Sequence, residues 1–208
     1  NASVKFINET CKKYKDNTFN ITSDFVLEIN DKDNTELFVN SRYNIFKYNN
    51  YFYDNILGKE DDAPNKNTNE FNNMYLLNQK KFLIQSDATL IDGIYYNTGK
   101  LLFGKENDNS LSDFYIKDDI IEIRIPWNLI NINNPIKKTA QGDFYGNDKN
   151  ILVNISNIKI EVKSDTLDSG IIKYKLPNYK NIKYQEKLKK SYYSIKDYWE
   201  GNIWQYFL

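Results

Sequence analysis

The segment Ile121-Glu122-Ile123-Arg124-Ile125-Pro126-Trp127 limits what this chain can fold into more than any other. Its isoleucines alternate with charged residues at period two. That pattern predicts a strand with one face on a core and the other in water. Pro126 lacks a backbone donor and should end the strand, which leaves Trp127 at its rim. Residues 113–116 should pair back onto 120–125 across the turn Lys117-Asp118-Asp119.

The same alternation recurs along the chain. Phe25, Leu27 and Ile29 precede the turn Asp31-Lys32-Asp33-Asn34, and residues 36–40 resume the pattern, so a hairpin is expected. Residues 74–77, 81–85, 91–96, 100–103, 151–163 and 170–174 read as further strands. Residues 9–15 read as a helical turn or loop, and residues 57–73 as a long polar loop. Residues 128–132 suggest one helical turn stopped by Pro135. Many short strands separated by turn signals predict an all-β chain, an antiparallel β-sandwich.

Only the tail changes period. Tyr184, Leu188, Tyr192, Ile195 and Trp199 recur at spacings of four, four, three and four, one face of a C-terminal α-helix. The expected organisation is therefore a sandwich over 3–182, with a helix and tail over 183–208 packed on it. Asn1-Ala2 reads as the remnant of a cleaved tag, which makes the chain a piece of something longer.

Composition removes several chemistries. The chain has 0 His, which rules out His-based triads and His-ligated metals. Its one cysteine, Cys11, allows neither an intrachain disulfide nor a cysteine zinc site. Lys plus Arg equals Asp plus Glu at 28 each, so no basic field exists to hold nucleic acid. No apolar run is long enough for direct membrane insertion of this segment. The 99–105 stretch superficially matches a phosphate loop, but Glu106 stands where Ser or Thr is needed. An enzyme is not expected.

Two constellations remain. Trp127, with Tyr95, Tyr96 and Arg124, could form a stacking platform for carbohydrate, the aromatic faces meeting C–H groups and the guanidinium meeting hydroxyls. The competing reading is that Trp127 caps the core and that Arg124 and Glu122 serve the sheet. Asp31 and Asp33 are the candidate ligands for a cation such as Ca2+, which takes several oxygens from loops. Ordinary turn chemistry is the plainer account of both aspartates, and no cofactor is expected.

Four segments carry a resemblance. They are EINDKDN (28–34) with LFV (37–39), TGKLLFG (98–104) with SLSDFY (110–115), EIRIPWNLI (122–130), and EKLKKSYY (186–193). In these the chain resembles the C-terminal extracytoplasmic domains of large membrane-anchored proteins of Firmicutes, often labelled glycosyltransferase-like. Those domains look like relatives of the DOMON and family 9 carbohydrate-binding-module sandwiches. The resemblance implies a sandwich, a place in the bacterial envelope, and a non-catalytic module whose partner is carbohydrate or, alternatively, protein. It carries over no catalytic residue. Strands expected before Phe25 are shortened or missing, and the 57–73 loop is unusually polar, so sugar-binding parts located there would be altered.

Overall fold

The computed structural model describes residues 13–44, 70–79, 82–91, 94–104, 112–142 and 152–178. The predicted tail helix and Cys11 lie outside them. The described residues form an all-β fold in which every strand pair is antiparallel. Two short 3-10 turns, Ser41–Tyr43 and Trp127–Ile130, are the helical segments among them.

The fold is centred on two strands, β3 (Phe25–Ile29) and β4 (Thr35–Asn40). β4 is hydrogen-bonded along both edges. One edge takes β3 in the register Phe25 to Val39 through Ile29 to Thr35. The other takes β5 (Phe71–Asn73) opposite Phe38, Val39 and Asn40. Its remaining stretch takes residues 99–101, with Leu37 N donating to Gly99 O and Leu101 N to Thr35 O, both at 2.9 Å. Thr35, Leu37 and Val39 point to one side and are buried.

The earlier hairpin, β1 (Lys13–Tyr14) with β2 (Asn17–Thr18), covers the opposite side. The Tyr14 ring sits 5.8 Å from Phe38 and 5.6 Å, edge-on, from Phe71. Residues 13–14 therefore form a strand where a helical turn or loop was expected. Phe71–Asn73 likewise is a strand at the end of the expected 57–73 loop.

At Met74 the sheet forks. β5 stays on β4, whereas β6 (Tyr75–Gln79) leaves it to pair with β9 (Ile94–Asn97). Thr98 N donates to Met74 O at 2.8 Å and closes the fork. β7 (Phe82–Ile84) and β8 (Thr89–Ile91) form a hairpin between them, so the single strand expected over 91–96 is two. The expected strand over 100–103 is reduced to the Gly99–Leu101 ladder and an isolated parallel bridge from Phe103 to Phe114.

β10 (Phe114–Lys117) and β11 (Ile120–Ile123) form the predicted hairpin, turning through Asp118 in the left-handed region at φ 51°. The chain then makes the Trp127–Ile130 turn, ended by Asn131 at φ 59°. It continues into β12 (Ile132–Asn134), β13 (Thr139–Gln141) and β14 (Leu152–Asn154). A last hairpin joins β15 (Asn157–Ile160) to β16 (Ile172–Lys175).

One carboxylate ties the end of β15 back to the start of the fold. The side chain of Glu161, 0% exposed, accepts from the backbone N of Asn20 (2.8 Å) and of Ile21 (3.1 Å), and from Asn20 Nδ2 (2.9 Å). Lys163 lies 3.5 Å away and offsets its charge.

Gly99 is where backbone meets backbone at the fork. A Cβ built there would stand 2.2 Å from Leu37 O, a clash with main chain that no rotamer change relieves. Gly99→Ala should therefore lower unfolding stability by about 3 kcal/mol or more, read as a shifted urea midpoint.

Candidate functional site

The sequence places its first constellation around β11, and the structure alters that picture. Ile121 and Ile123 were expected on the core. Ile121 is instead 48% exposed and Ile123 is also exposed. Phe114, which faces Ile123 across the hairpin, is the residue of this face that is buried. The physical reason is that β10–β11 is a two-stranded sheet whose hydrogen bonds to the rest of the described residues lie at its root. Period two reports that one face is apolar, not that a second layer covers it.

The root is a buried polar joint. Asp113, 0% exposed, accepts the backbone N–H of Leu102 on its carboxylate at 2.8 Å. Its own backbone N donates to Leu102 O at 2.8 Å, and its carbonyl accepts from Arg124 N at 2.7 Å. Phe103 packs edge-on against Phe114 at 5.4 Å and tilted against Tyr115 at 5.8 Å.

Arg124 and Glu122 lie two residues apart on one side of the strand and pair with each other. Arg124 Nε donates to Glu122 Oε1 at 2.7 Å, and Nη2 reaches the same oxygen at 2.6 Å. With both side chains more than a third exposed, the pair adds well under about 1 kcal/mol to stability. Together with Ser112, Asp113, Phe114 and Tyr115 they line an indentation of about 10 Å³. That is the room of roughly one water, against about 300–1,000 Å³ for a small-molecule site.

The other platform residues are spread over the fold. Trp127 is half-buried and opens the 3-10 turn, which packs on β12. Asn131, the residue ending that turn, donates Nδ2 to Tyr43 O at 3.3 Å and so fixes the turn against the end of β4. Tyr95 and Tyr96 stand on β9, opposite Leu77 and Leu76. Arg124 and Trp127 thus follow one hairpin, and the tyrosines belong to another sheet. Neighbours on a strand face opposite sides, so β9 can offer a common platform one tyrosine and not both.

Asp31 and Asp33 sit in the β3–β4 loop. Asp31 Oδ1 accepts from the backbone N–H of Asp33 and of Asn34, both at 2.8 Å, and Asn34 Nδ2 reaches Oδ2 at 2.9 Å. These bonds, that from the Asn34 side chain first, hold its carboxyl below the ordinary carboxylate range. The carboxylate thereby organises the turn.

Sequence reasoning missed a pair of acids. Glu28 and Glu36 face each other directly across β3 and β4. Like charges in that position repel, and each has its own donors. Glu28 accepts from Lys15 Nζ at 2.5 Å and from Tyr14 Oη at 2.8 Å. The lysine contact is foremost in lowering the Glu28 pKa, while burial and then the Glu28 bond raise that of Tyr14. Glu36 Oε1 accepts from Asn97 Nδ2 at 2.7 Å and from Asn73 Nδ2. The signal was available in the loop. Five residues, 30–34, separate Ile29 from Thr35 where a four-residue turn was expected. That one residue brings Glu36 rather than Leu37 opposite Glu28.

Among the described residues no group of three or more His, Cys, Asp or Glu is placed to hold a metal ion, and no helix is long and apolar enough to cross a membrane. No family model matches the chain, and no curated protein or solved structure does either.

Asp24, at the entry to β3, has an Oδ1 shielded from solvent and without a hydrogen-bond partner. Burial pushes its carboxyl up to about 7. The folded state thus holds a proton that the unfolded chain releases near pH 4. The stabilisation is complete below about pH 4 and gone above about pH 7. Relative to wild type, Asp24→Asn should gain stability as pH rises over that window, by on the order of 4 kcal/mol, then level off. Denaturant titrations of both proteins at pH 4, 5.5, 7 and 8.5 would check this; a difference independent of pH would contradict it.

Proposed function

We propose that this chain is a non-catalytic β module of a larger protein of the bacterial envelope, and that it works by docking onto protein through the end of the β10–β11 hairpin. One observation carries the reading. Ile120 is 70% exposed at the hairpin end, on the face of Glu122, and Ile121 and Ile123 are exposed on the other face of the ribbon. Apolar side chains held out on both faces of a paired ribbon are costly in water unless something covers them. The fitting partner is an apolar protein surface, and the parent protein that carries the module is the one always within reach. The envelope setting follows the resemblance in the four segments above.

A second reading keeps one observation in its favour. The Glu122–Arg124 pair lies beside Tyr115, a planar cation next to an aromatic ring. That combination suits a sugar lying flat across the surface, with Trp127 further along the chain.

A photo-crosslinking residue placed at Ile120 of the full-length parent should give a discrete protein adduct. Ile123→Asp should weaken that contact by about tenfold, the equivalent of about 1.4 kcal/mol. Absence of a protein adduct would overturn the docking reading. Heat released on titration with envelope polysaccharide, abolished by Arg124→Ala, would establish the carbohydrate reading in its place.

A further inference from the structure

The two edges of the β10–β11 hairpin are used differently. On the β10 edge Phe114 N donates to Leu102 O at 3.2 Å, and Phe114 O accepts from Gly104 N at 2.9 Å. On the other strand Arg124 N donates across the hairpin to Asp113 O at 2.7 Å, so Arg124 and Glu122 turn their main-chain groups toward β10. Ile121 and Ile123 therefore turn theirs away. Among the described residues no strand or backbone hydrogen bond meets them there. An open edge of this kind is a template for another strand. The side chains add a pattern. Residues 121–125 read Ile-Glu-Ile-Arg-Ile, which is self-complementary about Ile123 when two copies run antiparallel. Ile123 then meets Ile123, Ile121 meets Ile125, and Glu122 meets Arg124.

We propose that β11 pairs along this edge with β11 of a second copy of this chain, antiparallel and centred on Ile123. The inference rests on the reading of this hairpin as a protein-docking element and names its partner. Charge selects both the occupant and the register. With Ile123 at the centre, Glu122 faces the partner's Arg124, and symmetry repeats the pair on the other side. Centring on Glu122 or on Arg124 would instead set like charges opposite each other. The contacts of Arg124 with Glu122 within one chain, at 2.6 and 2.7 Å, already hold both groups on one face. A guanidinium carries donors enough for a second carboxylate. The other face brings together Ile121, Ile123 and Ile125 of both copies and covers the exposed isoleucines of β11. Main-chain pairing at residues 121, 123 and 125 adds about six hydrogen bonds. Pro126 comes next and limits the ladder. A contact this short makes a weak dimer, with Kd in the micromolar range.

The test is analytical sedimentation of the whole chain at micromolar to submillimolar concentrations, where the wild type should dimerise. Glu122→Arg and Arg124→Glu each set like charges opposite each other, and each should weaken the dimer at least about tenfold. Mixed in equal amounts, the two variants should pair with each other, because one is then cationic at both positions and the other acidic at both. The double variant, Glu122→Arg with Arg124→Glu, should dimerise as the wild type does. Neither misfolding nor a contact elsewhere on the molecule produces this rescue. Single variants that dimerise like wild type, or a mixture that stays monomeric, would overturn the proposal. A monomeric wild type would overturn it too, and the adduct from Ile120 then decides separately whether the docking reading stands.

Discussion

The rest of the structure depends on the two-sided hydrogen bonding of β4. A strand paired along one edge offers its other edge to solvent or to another chain. Here that edge is shared by two segments that arrive from different parts of the sequence, β5 and residues 99–101. Both must fit within the length of one six-residue strand, so the main chain at Gly99 passes close against Leu37. A side chain at position 99 would break the arrangement, and the buried row of Thr35, Leu37 and Val39 would lose its neighbour Leu101. The order of the middle of the chain, from β5 round to Asp113, follows from that approach.

Around this centre the fold is built of small ribbons rather than broad sheets. Among the described residues β7–β8 and β15–β16 form two-stranded sheets of their own, and β10–β11 adds a single bridge from Phe114 to Phe103. Buried carboxylates tie two of them to the rest of the fold, Asp113 at the root of β10–β11 and Glu161 beyond the end of β15. These anchors are polar groups buried with their partners, and they fix position more than they add stability. On β10–β11 the exposed Ile120 and Ile121 lie further out than Asp113, which separates what holds that ribbon from what it presents.

Much of this was legible in the sequence, and the failures have physical causes. The β3–β4 and β10–β11 hairpins and the last strand follow from period two and turn chemistry. The all-β character follows from their number. Exposure of Ile121 and Ile123 could not be read, because alternation carries no information about whether a covering layer exists. β12 and β13 were missed because INN and TAQ are too short and too polar to show a period. The grouping of Trp127 with Tyr95 and Tyr96 failed differently: pairing partners are set by the fork at Met74, which leaves no mark in local sequence. The Glu28–Glu36 opposition was within reach, since the even alternation of Phe25, Leu27 and Ile29 with Leu37 and Val39 already favoured the observed register over a four-residue turn.

The Glu36 carboxylate has a consequence for how the centre comes apart. One of its oxygens serves amides from two strands on either side of the fork, Asn73 on β5 and Asn97 on β9. Peeling either strand away would leave a half-buried carboxylate facing Glu28 with one donor fewer, a state costlier than the loss of a neutral contact. Fraying from one side is thereby discouraged until both sides yield. The fork would then behave as a single cooperative unit, a latch between segments more than twenty residues apart in sequence.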